Sequence, residues 1–229
     1  MRPTIRFALA FALLHAPAEA AEVGGTGLTV SGDVILLSDY RYRGISRSRG
    51  RPALQGDVTL SKSGFYAGAK ATSLRREPLL GEAEVDFYAG WGKQLRGGTS
   101  LDSGILYYAF PGAPAGSGYF EPYASISHQI GPLEATAGAK YAWAQRPILD
   151  RRSLYLFAQA EAGVPATPVT LTAEVARQQG GMAGSYWTWS LGGRYVRGPF
   201  SAGLRFVDTD LSTRPHSRAG LVASVGFSF

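Results

Sequence analysis

Apolar and polar residues alternate with period two through much of the chain. In residues 82 to 92, Ala83, Val85, Phe87, Ala89 and Trp91 hold one parity, and Glu82, Glu84, Asp86, Tyr88 and Gly90 the other. Successive strand side chains point to opposite faces, so this segment has one greasy face and one polar, acidic face. The final residues repeat the pattern: Leu221, Ala223, Val225, Phe227 and Phe229 alternate with Gly220, Val222, Ser224, Gly226 and Ser228. Twelve such stretches are predicted, at about 28–42, 52–61, 65–73, 82–93, 99–110, 118–129, 133–144, 152–163, 168–177, 185–196, 199–208 and 219–229. Strands of about ten residues are long enough to cross a bilayer when tilted.

The links between these stretches alternate in length. Short ones, such as Lys62-Ser63-Gly64, Ile130-Gly131-Pro132 and Arg197-Gly198, take turns with longer ones, such as Ile45 to Arg51 and Thr209 to Arg218. Short turns on one rim and longer loops on the other predict an all-β fold: a transmembrane up-and-down antiparallel barrel, with both termini on the short-turn side. Aromatic residues gather at the predicted strand ends. Tyr40, Tyr42, Trp143, Trp187 and Trp189 fall on the long-loop rim, and Trp91, Phe227 and Phe229 on the short-turn rim, as girdles at two water–lipid boundaries require.

Composition now narrows the compartment. Met1 to Arg6 carries two positive charges, Phe7 to Leu14 is an unbroken apolar run, and Ala18-Glu19-Ala20 places small residues where a signal peptidase reads. Residues 1–20 are therefore expected to be a signal peptide cleaved near Ala20, and residues 21–229 the barrel. The chain has no Cys and three His far apart in sequence, so thiolate chemistry is excluded and neither a histidine metal site nor a cofactor is expected. A net charge of +6 comes without a recognition motif for nucleic acid, and none is expected as a partner. Arg47, Arg49, Arg51, Arg146 and Arg151 fall in predicted external loops, with Arg152 beside the last of them, where guanidinium groups meet lipopolysaccharide phosphates.

Several stretches also carry a family resemblance. Ser38-Asp39-Tyr40-Arg41-Tyr42-Arg43-Gly44-Ile45-Ser46, Pro52 to Asp57, Ser63 to Gly68 and Ala83 to Gly90 resemble the TorF-type porins of proteobacteria. The likeness is ordered over roughly residues 30 to 110 and looser beyond. It implies an outer-membrane barrel and leaves the solute open. The last strand, closing on Phe227 and Phe229, is also similar to the signal read by the barrel-assembly machinery, although Ser224 stands where Gly is often favoured.

On this parity the lumen receives Asp39, Arg41, Arg43, Asp57, Glu82, Glu84, Asp86, Lys140, Arg194 and Arg205, the candidate pore-lining and selectivity residues. Charge is confined there because Arg or Lys facing lipid at the midplane costs about 2–4 kcal/mol. The acidic row Glu82, Glu84, Asp86 and the basic set Arg41, Arg43, Arg194, Arg205 are expected to form opposed walls, or else to pair and fill the interior. The expected function is passive passage of small polar solutes or ions through a narrow charged lumen, not catalysis. A barrel enzyme acting on lipid would need a nucleophile beside a base, but His128 and His216 belong to opposite rims. A non-conducting structural barrel is the third reading.

Overall fold

A computed structural model describes residues 21–77, 80–113, 118–211 and 214–229, the side chains of Arg76 and Glu77 excepted; the expected signal peptide lies outside the described residues. The chain forms twelve long strands: β1 (Thr29–Leu37), β2 (Ala53–Lys62), β3 (Phe65–Glu77), β4 (Gly81–Gln94), β5 (Thr99–Ala109), β6 (Tyr119–Ile130), β7 (Leu133–Ala142), β8 (Ser153–Gly163), β9 (Val169–Gly180), β10 (Tyr186–Arg197), β11 (Phe200–Thr209) and β12 (Gly220–Ser228). Each pairs antiparallel with its neighbour in sequence, and β1 pairs with both β2 and β12, so the sheet closes on itself. Closure leaves no edge whose N–H and C=O groups lack partners, which a wall immersed in lipid requires. Ala21–Glu22 adds a short extension beside the start of β1, and the described residues hold a single 3-10 turn, Arg96–Gly98.

The period-two reading of the wall holds along every strand. Outward positions carry large exposed apolar side chains, including Phe65, Leu191, Phe200 and Leu221, each 60% or more accessible. Inward positions carry buried polar and charged groups, among them Asp33, Lys70, Glu84, Asp86, Glu121 and Lys140. This is the reverse of a water-soluble barrel, whose greasy residues point in.

The structure departs from the sequence reading in the first strand. β1 ends at Leu37 rather than continuing to residue 42, and the chain turns into the barrel. Arg41–Tyr42 and Ile45–Ser46 form a small antiparallel hairpin with Tyr42 opposite Ile45. Its two-residue turn, Arg43-Gly44, has positive φ at both positions, 51° and 86°, the backbone that the tightest hairpins demand and that Gly supplies at low cost. The hairpin packs into the outer half of the lumen. Leu37, Tyr40, Leu106, Tyr108, Phe110, Tyr119, Val207 and Val222 form one buried apolar cluster there, joined by Ile148 and Leu149 from the loop between β7 and β8.

Candidate functional site

The inserted segment is tied down residue by residue. Asp39 organises its own loop: one carboxylate oxygen accepts from Ser46, from the Ser48 hydroxyl at 2.8 Å and from the Gly50 amide at 3.2 Å. The other accepts from Arg41 Nε at 2.7 Å, and Arg41 Nη1 reaches the carbonyl of Arg218 at 2.7 Å. Arg43, at the tip, donates through Nη2 to both oxygens of Glu121 at 2.7 and 2.6 Å and through Nη1 to Gln178 Oε1 at 2.7 Å. Arg47 pairs with Glu84 and lies 3.6 Å above the ring of Tyr42, while the Tyr40 hydroxyl donates to the same Glu84 at 2.6 Å. The hairpin therefore bonds to β4 on one side of the lumen and to β6 and β9 on the other. Burial works most strongly against charge on Arg43, but the Glu121 carboxylate together with the hydroxyls of Tyr42, Tyr108 and Tyr119 raises the guanidinium pKa well above its ordinary value.

Beneath the hairpin the lumen is lined with polar groups arranged by cross-strand register. Lys70 stands between Asp57 on β2 and Asp86 on β4, with its ammonium 2.9 Å from Asp86. Asp57 accepts the Tyr88 hydroxyl on both oxygens at 2.9 and 2.8 Å, and Tyr66 donates to Asp102 at 2.5 Å while bonding Tyr123. Arg194 lies 3.9 Å from Glu161. A cavity of about 110 Å³ opens below the hairpin, bordered by Arg41, Lys70, Lys140, Glu174 and Arg205. A second space, of about 540 Å³, sits on the outer rim between Arg49, Arg51, Leu74, Arg75 and Glu82.

The sequence-derived site residues fare unequally. Asp39, Arg41, Arg43, Asp57, Glu84, Asp86, Lys140, Arg194 and Arg205 face the interior. Glu82 does not: it is exposed on the rim, because β4 leaves the barrel mouth at its first residues. The opposed walls give way to local pairs, Arg47 with Glu84, Lys70 with Asp86 and Arg43 with Glu121, since each buried charge costs less beside an opposite one. Tyr40 and Tyr42 are not girdle residues. Tyr40 is buried against Glu84, and Tyr42 meets Tyr108 edge-on at 5.7 Å, both carried inside by the hairpin. Arg47 likewise lies inside rather than out among lipid phosphates. Trp143, Trp187, Trp189, Phe227 and Phe229 do project outward, and Trp91 is half-buried at a short turn beside Gly64. Parity in the sequence also places Lys70 and Glu121 inward, but alternation alone does not say that they pair with Asp86 and Arg43. His128 bonds Thr99 at the base of β6, and His216 sits in the loop before β12. Among the described residues no cluster of His, Asp and Glu is placed to hold a metal ion.

This closed twelve-stranded antiparallel barrel, apolar outside and charged within, superimposes on solved porins. The KdgM porin superimposes with a TM-score of 0.62 at 10% identity, over 87% of this chain and 98% of that one. The NanC porin gives 0.61 at 11% identity over 86% and 98%. The COG4313 outer membrane channel from Pseudomonas putida F1 gives 0.56 at 9% over 94% and 98%. Identities this low speak for the shared fold alone. The chain belongs to the Gcw_chp family, described as a bacterial protein of unknown function, whose family model matches residues 20–225. No curated protein matches it in sequence.

Proposed function

We propose that the protein is an outer-membrane channel that passes small polar solutes or ions through a narrow charged lumen, with the Arg41–Ser46 hairpin as its constriction. One observation carries this reading: a closed wall exposes large apolar side chains all round while ionisable groups line the inside. Such a wall is stable in a bilayer and only there, and a polar interior is what water and a polar solute need to cross it. The resemblance of the first third of the chain to TorF-type porins supports the same address, with the signal peptide removed near Ala20 and the Phe227–Phe229 end offered to the barrel-assembly machinery. The rim arginines Arg49, Arg51 and Arg75 suit lipopolysaccharide phosphates, which Arg binds in a planar fork. The test is planar-bilayer recording of the refolded full chain. Discrete ohmic steps are expected, and their absence in protein whose folding is proven by heat-modifiable gel mobility would overturn the channel.

A second reading, a non-conducting structural barrel, is favoured by the same hairpin, because its apolar cluster fills the outer mouth. The two separate on a variant in which Glu121 becomes Gln. A constriction held by this pair conducts more when the pair is cut, whereas a structural plug stays silent. A barrel enzyme acting on lipid would require His128 or His216 beside a nucleophile at the lipid boundary. His128 instead bonds the Thr99 hydroxyl at 2.9 Å in an exposed position.

A further inference from the structure

Charge inside the barrel balances around the hairpin and not below it. At the hairpin Arg41 pairs with Asp39, Arg43 with Glu121 and Arg47 with Glu84. Below it, the inward cations among the described residues are Lys70, Lys140, Arg194 and Arg205, and each meets a carboxylate. Lys70 pairs with Asp86 and Arg194 approaches Glu161, while Arg205 lies in the field of Glu174 and Lys140 in that of Asp102. Beyond these, Asp33, Asp57 and Glu134 also face inward, Glu134 by its shared parity with Lys140 on β7. The interior is therefore negative in a chain whose net charge is +6.

Register sets the surplus carboxylates beside others of their kind. Asp33 on β1 stands directly opposite Asp57 on β2, and Glu134 on β7 directly opposite Glu161 on β8. Like charges in facing cross-strand positions repel. Lys70, on the other flank of Asp57, is one ammonium in a row that holds Asp33, Asp57 and Asp86. The hydroxyls of Tyr88 and Thr59 bond Asp57 but bring no charge. Asp102, 7% exposed on the inward side of β5, keeps Oδ2 without a hydrogen-bond partner. A buried acceptor left open in this way calls for an ion or water from outside the chain. In a closed ring of twelve strands β1 and β2 lie across the lumen from β7 and β8, so the two like-charged pairs occupy opposite walls. Asp33 and Asp57 sit at mid-strand and Glu134 close to a short turn, which spreads negative charge along the lower passage.

We propose that the lumen selects small cations over anions, with the facing carboxylates Asp33–Asp57 and Glu134–Glu161 as its selectivity elements. Carboxylates around a pore attract cations and turn anions back, and low-dielectric walls concentrate their field. Protonation of any one of them leaves the sign unchanged. The inference deepens the channel reading and rests on it, since an ion must enter from an aqueous compartment.

The experiment measures the reversal potential of the refolded full barrel in planar bilayers under a KCl gradient. A permeability ratio of K⁺ to Cl⁻ of about three or more is expected near 0.1 M salt, where the Debye length is about 10 Å, and the ratio should fall as added salt screens the walls. D57N and E134Q should each lower the ratio about twofold, whereas D150N, which removes an exposed carboxylate outside the lumen, should match the parent. If D57N does not fold by gel mobility, E134Q, partly exposed near its turn, decides. Caesium-ion magnetic resonance on the same barrels in detergent reads cation association without conduction, as line broadening that D57N and E134Q reduce. A ratio of one or less in the parent, or a ratio and a caesium line width unchanged in both variants, would overturn the proposal. K⁺ and Cl⁻ currents without cation preference remove the selectivity alone. Folded protein that is silent in bilayers but broadens caesium through these carboxylates removes the channel alone.

Discussion

At the scale of single residues, the high Gly and Tyr content has a packing cause. Tyr66 on β3 and Tyr88 on β4 lie inward, each with its ring over a glycine of the neighbouring strand: Tyr88 over Gly68 and Tyr66 over Gly90. A Cβ on Gly90 would sit 2.5 Å from the Tyr66 Cζ and 2.7 Å from the Ser103 carbonyl oxygen, so the ring must leave its seat and its bond to Asp102. Gly90→Ala is therefore expected to destabilise the barrel by about 1–3 kcal/mol, as overpacking does, read by urea titration of protein folded into lipid vesicles. The outer face obeys a different rule. Leu191, 65% exposed and central in β10, should meet acyl chains. Leu191→Arg should cost about 2–4 kcal/mol in vesicles against a small loss for Leu191→Ala. Equal stability of the two would argue that this face never meets lipid.

At the scale of the element, the Arg41–Ser46 hairpin has the anatomy of a latch. It is anchored at two sides of the lumen through Glu84 and Glu121 and has no hydrogen-bonded strand to continue it. Cutting one member of a buried ion pair costs about 3–5 kcal/mol, because the other is left charged and unpaired. At about 1.4 kcal/mol per tenfold, that shifts a docked hairpin toward release by two orders of magnitude or more. Glu121→Gln and Glu84→Gln are each expected to raise single-channel conductance and current noise while leaving the wall folded. The rim outside the latch should behave independently, so Arg49→Ala should leave conductance near that of the parent.

The wall of β4 could be assigned from residues 82–92 alone, because alternation at fixed parity is a local property that survives whatever the rest of the chain does. The hairpin could not. Asp39 to Arg43 alternates as well as any strand, and only the partners of Tyr40 and Arg43, 44 and 78 residues away at Glu84 and Glu121, decide that the segment turns inward.

At the scale of the molecule, the seam between β1 and β12 is the short one. Five residue pairs join them, Ser224 with Leu37 through Ser228 with Asp33, whereas β8 and β9 share eleven. Reciprocal bonds of 2.9 Å between Gly32 and Phe229 lengthen the seam by its last residue. Removing residues 227–229 takes away two of the five pairs and both of those bonds. Closure should fail, seen as loss of the heat-dependent mobility shift, while internal hairpins retain strand signal by circular dichroism. A truncated chain that still closes would place the weak point elsewhere.

The sequence by itself determined the wall: strand number, parity, the alternation of short and long links and the confinement of charge to one face all follow from period-two sterics and the cost of charge in lipid. The tertiary structure alone decided what fills the barrel. Which carboxylate answers which cation depends on register across strands far apart in sequence, and a loop of ordinary composition turns inward only because a charged, aromatic-lined interior already waits for it. For the same reason Arg205 reads in sequence as one of several inward arginines, and only closure of the sheet brings it to the cavity beneath the hairpin, on the same lining as Glu174.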